Sequence, residues 1–200
     1  MNRSPLVADK EGWRTVSEET KYQDKNVHVT MQEVFTPTRQ DKPARWTVVH
    51  RKAAVVVCPV TPDGKLVLVQ QERIPVRALM WEFPAGQVDE EDSSDEAVLR
   101  ATARREMLEE TGYELPAGVE PVELGYFFTT QGFTDEHNHL FLAQGVVPAR
   151  AGASHDEDEG ITGCREFTKE EFRRMVASGE INNANTLSLY ARLCARGLLF

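Results

Sequence analysis

Apolar and polar positions along the chain change period several times, and each change marks an element. Residues 25–34 (KNVHVTMQEV) alternate and predict a strand. The polar, charged stretch 1–24 reads as an arm or edge element, and PTRQDKPAR, with Pro37 and Pro43, as a turn-rich link. A second strand region runs from Trp46–Val49 into Ala53–Cys58. Its alternation fades at AAVVV, which predicts burial on both faces. Pro59 lacks an N–H for a ladder and is expected to end that strand. Thr61-Pro62-Asp63-Gly64 is a turn, so 53–70 reads as a hairpin. Further strands are expected at Trp81–Phe83, Val122–Phe128 and Leu140–Ala143, and an acidic loop over 150–163.

The period lengthens to 3.6 in three places. Ser93-Ser94-Asp95-Glu96 has the S-x-x-E form, and Gly112 suits a left-handed stop, so a helix is predicted from about Ser94 to Thr111. Leu99, Ala103, Glu106 and Glu110 share one stripe of it, while Ala97, Ala101 and Leu108 lie opposite. Apolar residues on two sides predict a helix wedged between two layers. Thr168-Lys169-Glu170-Glu171 caps a second helix that Gly179 ends, and a last helix runs from about Asn185 to Arg196. Strands, a helix, more strands and two helices indicate an α/β (α+β) sandwich.

Composition narrows the function. The 200 residues carry a formal net charge of −9, which disfavours general binding of nucleic acid or anionic membrane. An anionic substrate would need a bound cation to attract it. Cys58, Cys164 and Cys194 are odd in number and widely spaced, so neither a zinc site nor a disulfide framework is expected. The N-terminus lacks an apolar signal core, and no apolar run approaches membrane-spanning length. A cytoplasmic location is the expectation.

Candidate chemistry concentrates at the end of the first helix. Glu106, Glu109 and Glu110 gather within one turn, near the C-terminal end where the helix dipole disfavours anions. Arg104 and Arg105 offset part of the repulsion, and a hard divalent cation would offset more. The alternative is a solvated acidic face.

Arg105-Glu106-Met107-Leu108-Glu109-Glu110-Thr111-Gly112-Tyr113 resembles the R-E-U-x-E-E-x-G-U half of the Nudix box, with U apolar. Trp81-Glu82-Phe83-Pro84-Ala85-Gly86 resembles the lead-in of the ADP-ribose pyrophosphatase branch. Gln71-Glu72-Arg73-Ile74-Pro75 is similar to a strand of that branch, and Ile181-Asn182-Asn183-Ala184-Asn185-Thr186 to its terminal-helix entry. The resemblance covers about residues 45–197. It departs upstream: Gly86 precedes Arg105 by nineteen positions (105 − 86), where the pattern has fourteen, so about five residues are inserted. Asp92 and Ala97 stand where the missing glutamate is counted from either end, and Glu96 is the candidate replacement.

The resemblance implies a Nudix-type α/β/α sandwich with a mixed sheet, formed by 45–200. Residues 1–44 would be an N-terminal β extension that forms a dimer, with the strand near 25–34 crossing between subunits. It implies Mg²⁺ (or Mn²⁺) held by Glu106, Glu110 and Glu109, with the Ala85 carbonyl completing the shell and Arg105 orienting the carboxylates. The implied activity is hydrolysis of the pyrophosphate bond of a nucleoside diphosphate derivative, first among them ADP-ribose, giving AMP and ribose 5-phosphate. GDP-mannose or a UDP-sugar is the alternative substrate, and a non-catalytic binding module the alternative class. A base is expected on the acidic loop, Glu157 first and Glu159 second. Arg73, Glu82, Gly86 and Glu136 match substrate-facing positions, and Trp46 and Trp13 are candidates for stacking on adenine.

Overall fold

Val55, Val57 and Val67 turn to one face of a sheet, and Val56, Cys58 and Leu68 to the other, and all six are fully buried. That period-2 alternation of wholly apolar positions is what a sheet covered on both sides requires. A computed structural model describes residues 5–88, 95–154 and 159–199 of the chain.

Two sheets dominate. The first has three antiparallel strands in the order β1 (Arg14–Gln23), β2 (His28–Thr36), β3 (Arg39–His50). The second is mixed. Its path is β12 (Ile161–Phe167), β5 (Leu66–Arg73), β4 (Ala54–Val60), β10 (His137–Gln144), β9 (Val122–Phe128). β6 (Ala78–Glu82) also pairs with β5, and β7 (Ala85–Gln87) with β4. Among the described residues, only β4 and β10 run parallel within it. The short β8 (Tyr113–Glu114) and β11 (Val147–Pro148) form a separate pair.

Helix α1 (Glu96–Thr111) covers one face, where Leu99, Ala103 and Met107 meet Val55, Val57, Val67 and Phe141. Helices α2 (Lys169–Ser178) and α3 (Ala184–Ala195) cover the other, through Phe172, Met175, Leu189 and Leu193. The expected sandwich is therefore present. No described helix is long and apolar enough to cross a membrane.

Several expectations are corrected. Asp95, not Ser93, caps α1: its side chain accepts the N–H groups of Ala97 and Val98. Ser93 and Ser94 lie outside the described residues. The helix is not wedged between two layers, because Ala97 and Ala101 are exposed and only one face is buried. The stretch 1–24 does supply an edge element, strand β1, but the link over Pro37–Pro43 lies mostly within β3. Pro43 falls in the register irregularity between the pairs Val34–Ala44 and Thr36–Arg39, where no ladder donor is needed. Pro59 does not end β4. It lies between the last pair with β7, at Val56, and the pair of Val60 with Leu66, so the ladder on that edge lacks nothing. The expected loop over 150–163 gives way to β12 at Ile161.

Candidate active site

The C-terminal turn of α1 lies against β7, and this contact assembles the acidic centre. A Cβ on Gly86 would stand 1.9 Å from the carboxyl carbon of Glu106, so only glycine admits that side chain. One residue earlier, the N–H of Ala85 donates to Glu110 Oε2 at 3.2 Å. Arg105 bridges the glutamates, with Nη2 2.6 Å from Glu106 Oε1 and Nη1 2.8 Å from Glu109 Oε2. Gly112 ends the helix at φ 71°, the left-handed stop that the sequence predicts.

Glu106 and Glu110 are buried. Burial, then the charge of Glu106, pushes the Glu110 carboxyl up to about 8, although the Ala85 N–H and Arg73 oppose the rise. Burial also raises Glu106, against the pull of Arg105. Two buried carboxylates that resist ionising together are the electrostatic setting a divalent cation relieves. Among the described residues no three His, Cys, Asp or Glu side chains converge as a full ligand set. A cation here would complete its shell with main chain, water or substrate oxygens, as the hard, hydrated Mg²⁺ ordinarily does. The residues fit such an ion on those terms.

Around this centre stand other expected residues. Arg73, ending β5, gives Nε and Nη2 to the two carboxylate oxygens of Glu82, ending β6, at 2.9 and 2.8 Å. Glu159 is fixed by its main chain, since its carbonyl accepts Gln71 Nε2 at 2.7 Å and the next carbonyl accepts the Glu72 N–H. Its charge acts on both Glu106 and Glu110. Glu157 lies outside the described residues. The terminal-helix motif supports the β6–β7 corner: Asn183 donates to the Trp81 carbonyl, and Thr186 Oγ1 accepts the Phe83 N–H at 3.0 Å.

Trp46 and Glu136 belong to a second group. Trp46, on β3, and Trp13, just before β1, line one cavity of about 590 Å³ together with His50, Gln131 and Asp135. Glu136 accepts the Thr129 hydroxyl at 2.8 Å and lies 2.9 Å from Arg51 Nε. That N–H is not aimed at the carboxylate, so the contact is an ion pair rather than a hydrogen bond. Asp135 falls within Gly132-Phe133-Thr134-Asp135-Glu136, which resembles an active-site loop of the branch, whereas no sequence motif signalled His50. Their contact joins positions 85 residues apart, and only the fold reveals it.

A family model for the NUDIX domain matches residues 49–190. The chain belongs to the Nudix family, and it is a hydrolase. Among its relatives, the ADP-ribose pyrophosphatase of Bacillus subtilis (strain 168) is 31% identical over 86% of this chain and 88% of its own length. The methanol dehydrogenase activator of Bacillus methanolicus is also 31% identical, over 87% of this chain and 88% of its own. A solved structure described as an ADP compounds hydrolase superposes with a TM-score of 0.70, covering 96% of this chain and 98% of that one at 16% identity, which speaks to the fold.

Proposed function

We propose that this protein uses Mg²⁺, or Mn²⁺ in its place, to hydrolyse the pyrophosphate bond of a nucleoside diphosphate derivative. ADP-ribose is the leading substrate, with AMP and ribose 5-phosphate as products. The observation that carries this reading is the buried Glu106–Glu110 pair packed on Gly86 and Ala85, beside Arg73 and Glu159. Bound there, the cation would neutralise phosphate charge and lower the pKa of a coordinated water.

The chain's own residues have separate tasks. Glu106 and Glu110 would hold the cation, with Glu109 and the Ala85 main chain beside them. Arg105 fixes the rotamers of Glu106 and Glu109 through charge-assisted bonds. Arg73 keeps Nη1 out of its pair with Glu82, which leaves an edge of the fork for a phosphate oxygen. Glu159 or Glu157 would take the proton of the attacking water. Trp13 and Trp46 would flank the base in their shared cavity, and an ADP-ribose pyrophosphatase among the relatives supports adenine there. We assign residues 1–44 to the dimer contact of a homodimer, because β1 is an edge strand exposing Val16 and Tyr22.

The test is a panel of ADP-ribose, GDP-mannose and UDP-sugars with Mg²⁺, Mn²⁺ or chelator, read as phosphate released after phosphatase coupling. Metal-dependent release, greatest with ADP-ribose, is expected. Preference for GDP-mannose or a UDP-sugar would reassign the substrate. Binding without turnover would make the chain a binding module.

A further inference from the structure

We infer that His50 and Asp135 are a positioning pair that sets the spacing between the cavity of Trp13 and Trp46 and the acidic centre. The inference rests on the function proposed above and deepens it. His50 ends β3 and is buried, with Nδ1 2.5 Å from Asp135 Oδ2. The other carboxylate oxygen, Oδ1, accepts the N–H of Arg51 at 3.2 Å. A carboxylate only accepts, so Nδ1 carries a proton. On the far side of the ring, Nε2 lies 2.9 Å from Thr30 Oγ1 and 3.2 Å from Gln32 Nε2, both on β2. The imidazole is therefore locked between the N-terminal sheet and the segment that enters β10.

Bonds to main-chain carbonyls repeat the connection. Val49 N–H donates to the Phe133 carbonyl, Asp135 N–H to the Val49 carbonyl, and Trp46 Nε1 to the Gly132 carbonyl. The end of β3 thus holds segment 132–135 along its length.

This segment joins two places a substrate must reach at once. On one side, Gly132 and Asp135 line the cavity with the tryptophans. On the other, the next residue, Glu136, pairs with Arg51 and leads into β10. Ala54 of β4 pairs with Asn138 of β10 and with Gln87 of β7. The segment therefore enters the sheet two strands, roughly 10 Å, from the strand on which Glu106 and Glu110 pack. A ligand with its base in the cavity and its diphosphate at the glutamates spans this gap. A fixed segment presents both ends at the right separation, whereas a loose one must be ordered at binding, which weakens affinity.

The test compares His50→Ala, His50→Asn and Asp135→Asn in the full chain, with whichever nucleoside diphosphate sugar the parent hydrolyses. His50→Ala should raise KM roughly tenfold or more while kcat stays within about threefold, the signature of lost uniform binding. His50→Asn should recover most of the affinity, since its amide N–H can stand at Nδ1. AMP binding, read by tryptophan fluorescence, should weaken in parallel. A fall in kcat with parental KM, the mark of a smaller folded fraction, would overturn the inference. If His50→Ala does not fold, Asp135→Asn decides by the same KM criterion. A parent that hydrolyses no nucleoside diphosphate would overturn the proposed function alone. The pair would then be judged by AMP affinity, and an AMP affinity that is undetectable in the parent or unchanged in the variants would overturn it too.

Discussion

The carboxylate of Glu106 occupies the space where any residue but glycine at position 86 would place its Cβ: that atom would lie 1.9 Å from Cδ and 2.1 and 2.2 Å from the two oxygens. Gly86 has no left-handed backbone to explain it and pairs ordinarily with Val55 in β7. Its smallness serves the close approach of α1. Gly86→Ala should therefore displace Glu106 and leave the sheet intact. A displacement on the order of 1 Å can cost roughly 100-fold in turnover. The expected outcome is a fall in kcat of that size at saturating Mg²⁺ with a cooperative melt retained. Parental kcat would show that Glu106 need not sit there.

Glu110 offers a second prediction, in which activity and stability move in opposite directions. In the metal-free fold its carboxyl is held up at about 8, first by burial and then by Glu106. The unfolded chain releases that proton in the ordinary carboxylate range, near 4.5. As pH rises from there to about 8, the unfolded state gains on the folded one, and stability from this group is lost. Glu110→Gln does not ionise and can still accept the Ala85 N–H. It should abolish turnover and raise the melting temperature in chelator by several degrees at pH 8.5, with little gain at pH 4.5. Equal melting temperatures for parent and variant at pH 8.5 would contradict the assigned electrostatics.

Much of the acidic centre was legible because its parts are local. Glu106, Glu109, Glu110 and the stop at Gly112 lie within two turns of helix, where spacing in sequence is spacing in space. The covered sheet was legible in AAVVV for the same reason. What escaped was structure without local contrast. β1 is almost wholly exposed on both faces, so no alternation marks it. β12 lies at the sheet edge, where among the described residues it pairs only with β5, and contains Gly163, so its burial is too partial to read. Contacts such as His50 with Asp135 depend on how two sheets meet, which no window of sequence contains. Glu96, the candidate for the glutamate that the pattern places before Arg105, pairs instead with Arg100 in the first turn of α1.

The Arg73–Glu82 pair predicts an asymmetry. Glu82 is 2% exposed, whereas the Arg73 side chain keeps 37% of its surface. Removing Arg73 strands a buried charge; removing the charge of Glu82 leaves an arginine that can turn to water. Arg73→Met should destabilise by roughly 3 kcal/mol or more. Glu82→Gln should lose about 1–2 kcal/mol, the scale of a single hydrogen-bonded contact. Urea denaturation in chelator measures both. Equal losses would mean that Glu82 finds another partner once Arg73 is gone.

His139 makes stability depend on pH from the acid side. It sits on β10, 5% exposed, between His137 and Tyr126, with Nδ1 3.7 Å from Glu123 Oε1. Neither ring nitrogen has a hydrogen-bond partner among the described residues. Burial, and then His137, lowers its pKa to about 4, against an ordinary value near 6.5. Above pH 6.5 both folded and unfolded chains hold it neutral, and it adds no slope. Between 6.5 and 4 the unfolded chain takes up a proton that the folded chain refuses, so stability falls as pH falls. The limiting slope for one such proton is about 1.4 kcal/mol per pH unit, which gives up to about 2 kcal/mol lost by pH 5. His139→Leu keeps an apolar side chain of similar reach in the same cluster and removes the titration. Urea midpoints at pH 7.5 and pH 5 should diverge strongly for the parent and less for the variant. If the two proteins lose stability equally over that interval, the proton is taken up elsewhere, and His139 is charged or partnered in solution.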